Sequence, residues 1–181
     1  MDAIRRAYSG ALITVEVHPA AGVPFTQAQR AIQRAQELGL SRQSRKKLDS
    51  FESDDQVWVM FDRDDHPRYD ETIGLCENKG IYVARSNPCF ELWLILHDAD
   101  YDKPDGRRGL QAHLKYLRPE YDPSGRKLVD CCDLISRVDV AERRAETLLT
   151  RRISEGAPYG PPSTTVFELT RSIRAASARA R

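Results

Sequence analysis

Val57-Trp58-Val59-Met60-Phe61-Asp62-Arg63-Asp64-Asp65-His66 is the stretch that decides the fold. Five consecutive apolar residues end abruptly in three carboxylates within four positions. An apolar run of this length between polar segments reads as a strand buried on both faces, as in a parallel sheet. Ligands of open α/β sheets sit outside the carboxyl ends of the strands. Acidic side chains placed there offer the hard oxygen ligands that a divalent cation takes while it bridges to phosphate. The stretch therefore points to an α/β fold and to phosphoryl chemistry.

Working outward, Leu12 to Val17 alternates apolar and polar residues and predicts a half-exposed strand near a sheet edge. Phe25 to Leu38 carries Ala28, Ala31, Ile32, Ala35 and Leu38 at helical spacing and closes with Gly39, a helix-ending residue. After the decisive strand come a helix over 69–78, the breaker Gly80 and a short buried strand over 81–84. This βαβαβ alternation predicts a parallel sheet with right-handed crossovers. Asn87 is placed to cap the next helix, with Pro88 at its first position. The run Cys89 to His97 is apolar nearly all round and predicts a buried helix. Asp98 to Gly106 reads as a polar loop, followed by helices near 108–117, 130–152 and 163–176, the last capped by Ser163 or Thr164 after Pro162. The expected division is an α/β core over 1–98 and a helical C-terminal segment over 99–181.

Composition narrows the class. The 181 residues suffice for one domain with a proper core, and the apolar fraction of 40% is ordinary. No apolar run nears the roughly 18 residues that span a bilayer, and Met1 to Arg6 lacks the apolar stretch of a signal peptide. The four cysteines (Cys76, Cys89, Cys131, Cys132) show no zinc spacing. A reduced, cytoplasmic protein without membrane attachment is expected. Residues 51–99 hold eleven Asp or Glu against four Lys or Arg, while the flanks are basic. Arg42, Arg45, Lys46 and Lys47 lie on one side, and Arg143, Arg144, Arg151, Arg152, Arg171 and Arg174 on the other. An acidic centre with basic flanks suits a metal site beside a polyanion, although solvated helix surfaces give the same count.

Asp62 and Asp64 are two residues apart, so in extended chain their side chains project to one side, roughly 6.5 Å apart. Both can then reach one magnesium ion, or two ions with a phosphate between them. Asp65 is a further metal candidate. The alternative is that these acids cap the following helix and keep the strand end solvated. Glu91, four residues after Asn87, falls on the same helix face and is a candidate ligand or base. It is equally explained as a first-turn glutamate against the helix dipole. His97 shares a face with Phe90 and Leu94, which favours a packed structural role, and Trp93 reads as core. No glycine-rich phosphate loop is present, so the chain does not read as an ATPase.

Three segments together resemble the RloB family of prokaryotic proteins with a Toprim-like domain. They are the decisive stretch itself, the run Val83-Ala84-Arg85-Ser86-Asn87-Pro88-Cys89-Phe90-Glu91-Leu92-Trp93-Leu94-Ile95-Leu96-His97, and Pro162-Ser163-Thr164-Thr165-Val166. The run from Ser86 to Trp93 is the most specific, and the resemblance extends from about Leu12 onward. It implies a Toprim-like sheet, with helices and a helical C-terminal segment in one RloB domain. It also implies antiphage or abortive-infection defence beside an ABC-type or AAA-type ATPase. The Asp-x-Asp pair that binds Mg2+ (or Mn2+) in Toprim domains maps onto Asp62 and Asp64. The glutamate that such domains carry on their first strand, within a Glu-Gly pattern, has no counterpart before Asp62. Glu16, followed by Val17-His18-Pro19, matches the second strand better. The first strand is thus expected to be missing, and a start codon set too far downstream is the favoured explanation, since a lost strand would expose apolar surface.

The expected function is metal-dependent phosphodiester cleavage of nucleic acid, DNA before RNA, with an ATPase partner and possible homo-oligomerisation. Asp62 and Asp64 would be its catalytic metal ligands, with Asp65 and Glu91 secondary. The alternative is a non-catalytic regulatory or scaffold subunit of the ATPase complex. A phosphotransferase of the haloacid-dehalogenase type is disfavoured, because His66-Pro67 stands where that chemistry has Thr or Val.

Overall fold

Two glycines turn helices into the segments that follow them. In the computed structural model, which describes residues 7, 17, 23–40, 55–63, 68–125, 129 and 131–179, helix α1 spans Pro24–Glu37. Gly39 takes φ 70° just past its end. The Gly39 amide donates to the Gln36 carbonyl and the Leu40 amide to that of Ala35, and this pair of bonds returns the chain against its own helix. Helix α2, Tyr69–Lys79, ends the same way on Gly80 at φ 78°. Its closing bonds run from Gly80 to Glu77 and from Ile81 to Cys76, which launches the next strand.

The described residues fall into two compact units, one within Pro19–Ala84 and the other within Met1–His18 and Arg85–Arg181. In the first, α1 packs on α2 and on strand β1, Trp58–Asp62. The core joins Ala28 and Ala35 of α1 with Val59 and Phe61 of β1 and Ile73 and Cys76 of α2. The spacing of α1 thus yields the expected face as far as Ala35, whereas Leu38, just past the helix end, is exposed. Strand β1 is less dry than expected. Val59 and Phe61 are buried, but Trp58, Met60 and Asp62 on the other face are only half-buried. There the Trp58 ring stacks on Tyr82, with centroids 4.9 Å apart, and Tyr82 is exposed. The strand expected over Leu12–Val17 lies outside the described residues apart from Val17.

Strand β2, Tyr82–Asn87, runs three residues further than expected. The sheet has three strands in the order β1-β2-β3 and is mixed rather than wholly parallel. The correction comes from β3, Ser163–Thr164, which pairs antiparallel with β2 in the register Ser86 to Thr164 and Asn87 to Ser163. These residues were expected to cap a helix; Thr164 Oγ1 does accept from the Val166 amide at 3.3 Å, at the start of the helix that follows, but both residues lie in the strand. Hydroxyls explain the difference: Ser86 Oγ and Thr164 Oγ1 are 2.9 Å apart, and Thr165 Oγ1 accepts from the Arg85 amide at 3.0 Å. The Thr165 amide in turn donates to the Arg85 carbonyl. Asn87 is likewise the last residue of a strand and not a helix cap, and its Nδ2 donates to the Tyr159 carbonyl.

In the second unit, helix α3 spans Glu91–Asp98, starting later than expected, and is buried from Glu91 to His97. It packs against α4, Arg107–Leu117, and against α6, Val138–Ser154, which also meets β3 and α7, Val166–Arg179. The helix expected over 130–152 is broken into α5, Cys131–Ile135, and α6. The break falls at Arg137, whose guanidinium turns back to Asp133 and, at 2.6 Å, to Asp98. Among the described residues, no helix is long and apolar enough to cross a membrane.

Burial sets the expected response to truncation. Ile95 on α3 is fully buried, so Ile95→Ala lowers unfolding free energy by about 2–5 kcal/mol. Ile153 is 55% exposed, and Ile153→Ala stays within about 0.5 kcal/mol. Urea unfolding of the two variants beside the parent chain checks the contrast.

Candidate functional site

Asp62 closes β1 at its carboxyl end, half-buried, with exposed Arg63 next. Asp64, Asp65 and His66 lie outside the described residues, so Asp62 is the described member of the expected metal set. The chain is described again at Arg68, which takes φ 73° and precedes α2. Aromatic contacts fix where the helix starts relative to the strand: Tyr69 meets Phe61 edge-on, and Arg63 lies over the Tyr69 ring at 5.3 Å. Arg68 forms a two-pronged bond with Glu71, both distances 2.7 Å, and stacks over Phe25. The Thr72 hydroxyl and amide both bond the Arg68 carbonyl. A half-exposed carboxylate at a strand end is hard-oxygen chemistry of the kind Mg2+ or Mn2+ takes. Among the described residues no group of three or more His, Cys, Asp or Glu is arranged to hold a metal ion.

Glu91 falls in the other unit, at the start of α3, and is 5% exposed. Its Oε1 accepts from the Tyr121 hydroxyl at 2.7 Å and from Gln111 Nε2 at 2.9 Å. Burial alone would raise its pKa, but these hydrogen bonds, with those from around Cys89 and its own backbone, bring it down to about 2. Glu91 is therefore an anion at every working pH and a weak proton acceptor. Because Asn87 ends β2, the two residues do not share a helix face as the spacing had suggested. Nothing in the sequence pairs Glu91 with Tyr121, thirty positions away, so this network was not legible there.

His97 is packed, as its neighbours implied. Its ring meets Trp93 edge-on at 4.9 Å, and Nδ1 bonds the Trp93 carbonyl at 2.9 Å. Burial pushes its pKa below the ordinary value against the pull of that bond. Burial likewise lifts the Cys76 thiol to about 11, which leaves it unreactive.

The basic flank is engaged within the fold. Arg143 pairs with Asp139, Arg144 with Asp100, Arg151 with Asp102, and Arg152 with Asp102 and Glu155. Arg171 pairs with Glu146, and Arg174 with buried Glu142 at 2.7 Å. Arg42, Arg45, Lys46 and Lys47 lie outside the described residues.

The fold and site define a mixed α/β protein whose first described strand ends in an acidic residue. More particularly, the chain belongs to the RloB-like family, whose family model matches residues 2–173. No curated protein and no solved structure matches it significantly.

Two buried groups make acid unfolding a two-limbed process. His97 is held neutral in the fold, so protonation of the unfolded chain below about 6.5 favours unfolding, and stability falls as pH drops through that value. Glu91 has its folded pKa depressed, so its contribution is complete above 4.5 and is lost as pH falls towards 2. His97→Gln should flatten the limb between pH 7 and 5. Tyr121→Phe should shrink the limb below pH 4.5 and cost about 1–3 kcal/mol at pH 7. Urea midpoints across pH 3–8 read both effects, and unchanged limbs would refute them.

Proposed function

We propose that the protein is a metal-dependent nuclease component of a prokaryotic antiphage or abortive-infection system that acts with an ATPase of the AAA or ABC type. The observation that carries this reading is Asp62 at the carboxyl end of β1, half-exposed and followed in sequence by Asp64 and Asp65. Ligands of α/β sheets gather at that end, and the Asp-x-Asp spacing matches the magnesium pair of Toprim-like domains. Membership of the RloB-like family supports the same reading.

In this proposal Asp62 and Asp64 hold Mg2+ or Mn2+, with Asp65 as a third donor. An ion held there would supply Lewis-acid chemistry to the scissile phosphate and a lowered pKa to a bound water. Arg63, exposed beside Asp62 and paired loosely with Asp70 at 3.5 Å, would exchange that carboxylate for a phosphate oxygen. Glu91 takes no proton-transfer step, since its carboxylate is committed to Tyr121 and Gln111. That commitment favours a second reading, a non-catalytic regulatory or scaffold subunit of the same ATPase complex. Under it, Asp62→Ala leaves phage defence intact.

A plasmid-nicking assay with Mg2+ or Mn2+, run with and without the ATPase partner and ATP, tests the proposal. Nicking is expected to fall more than roughly 100-fold in Asp62→Ala/Asp64→Ala, beyond the usual cost of losing an outer partner of a metal site. It should also stop on chelation by EDTA. Nicking that survives the double substitution, or no nicking under any of these conditions, would overturn it.

A further inference from the structure

Most basic side chains of the helical unit are neutralised by a carboxylate, and the outer face of α4 stands apart. This helix, Arg107-Arg108-Gly109-Leu110-Gln111-Ala112-His113-Leu114-Lys115-Tyr116-Leu117, contains no acidic residue. Leu110 and Leu114 are fully buried and fix which side faces the core. Arg108 and Lys115 are both exposed on the other side, seven residues apart, about 10.5 Å along the axis. Lys115 Nζ donates to the Pro119 carbonyl at 2.6 Å, which leaves its charge unneutralised. Among the described residues, neither Arg108 nor Lys115 is paired with a carboxylate. The acids of the preceding loop are occupied: Asp100 by Arg144, Asp102 by Arg151 and Arg152, and Asp105 by the Tyr101 hydroxyl.

Beside Lys115, Tyr116 is 79% exposed, the most exposed of the large hydrophobic side chains described. The Tyr116 ring lies 6.3 Å from that of His113 and stays largely in water on the same helix as the two uncompensated cations, which forgoes the burial of its apolar surface. The pairing suits a polyanion that carries its own flat rings. We propose that the outer face of α4 binds single-stranded nucleic acid, with Arg108 and Lys115 on backbone phosphates and Tyr116 stacked on a base. The inference rests on the nuclease reading and names where its substrate is gripped. An unpaired strand is specified because its bases are free to stack on a side chain, whereas those of a duplex are already stacked.

The test is fluorescence anisotropy with the full chain in EDTA, using a labelled twenty-nucleotide thymidine strand and a twenty-base-pair duplex at 50–200 mM KCl. Arg108→Gln/Lys115→Gln should weaken strand binding at least about tenfold and lower the slope of log affinity against log salt by about 1.4. Tyr116→Ala should weaken strand binding roughly tenfold with the slope unchanged, and should spare any duplex binding. Circular dichroism checks that these exposed substitutions leave the fold intact. Absence of strand binding by the parent chain overturns the inference, as do variants with unaltered affinity and slope, or a duplex preference indifferent to Tyr116. Plasmid nicking separates the two claims. Nicking with α4-independent binding sinks this surface alone, and α4-dependent binding without nicking sinks the nuclease reading alone.

Discussion

The helical unit is organised around one ion pair, Asp98 with Arg118. Asp98 ends α3, and Arg118 follows α4 with its side chain almost wholly buried. The carboxylate takes Arg118 through both oxygens, at 2.6 and 3.0 Å, and Arg137 at 2.6 Å. Asp133 of α5 closes the cluster on the same two arginines. A lone buried guanidinium would carry a large desolvation penalty, and removing one partner of such a pair typically costs about 3–5 kcal/mol. The cluster therefore constrains where α3, α4 and α5 can end relative to one another, and the break between α5 and α6 follows from it. A continuous helix through 136–137 would draw Arg137 away from Asp98.

Charge in this protein serves two ends that composition cannot distinguish. The arginines of α6 and α7 look on paper like a surface for a polyanion, yet each of the six named finds a carboxylate within its own unit. Glu142 shows how far this goes: it is 4% exposed and receives Thr170, Arg171 and Arg174. Such pairs join helices and contribute little field beyond them. Arg108 and Lys115 on α4 number fewer, but among the described residues no carboxylate pairs with them, and they act on solvent. Distribution of partners, and not net charge, decides which basic residues are available.

Periodicity made much of the fold legible. The spacing of Ala28, Ala31, Ile32 and Ala35 located α1, Gly39 and Gly80 located two helix ends, and the apolar run before Asp62 located β1. Legibility failed where a local signal had two meanings. Ser163 and Thr164 are residues that cap helices, but they form β3, where the Thr164 hydroxyl meets the distant Ser86 as well as the Val166 amide at the start of α7. Asn87-Pro88 carries a cap signature that strand pairing with Ser163 overrides. Arg137 sits in an unbroken helical pattern because its partner Asp98 is far away in sequence. At the candidate site, Asp62 was legible as a strand-end carboxylate, while the setting of Glu91 depends on Tyr121 and Gln111, which no spacing rule connects to it. Asp64 and Asp65 fall outside the described residues, so their place in the site rests on sequence alone.

The pairing of β2 with β3 also has a temporal side. Ser86 meets Thr164 across 78 residues. At ordinary synthesis rates of 5–20 residues per second, Ser86 is made about 4–16 s before its partner. During that interval one edge of β2 has no strand beside it, on a growing chain that other nascent chains could join. The edge carries Arg85, Ser86 and Asn87, where an apolar triplet would invite such association. The hydroxyl and amide side chains that later close the sheet thus also keep its open edge hydrated until the C-terminal segment arrives.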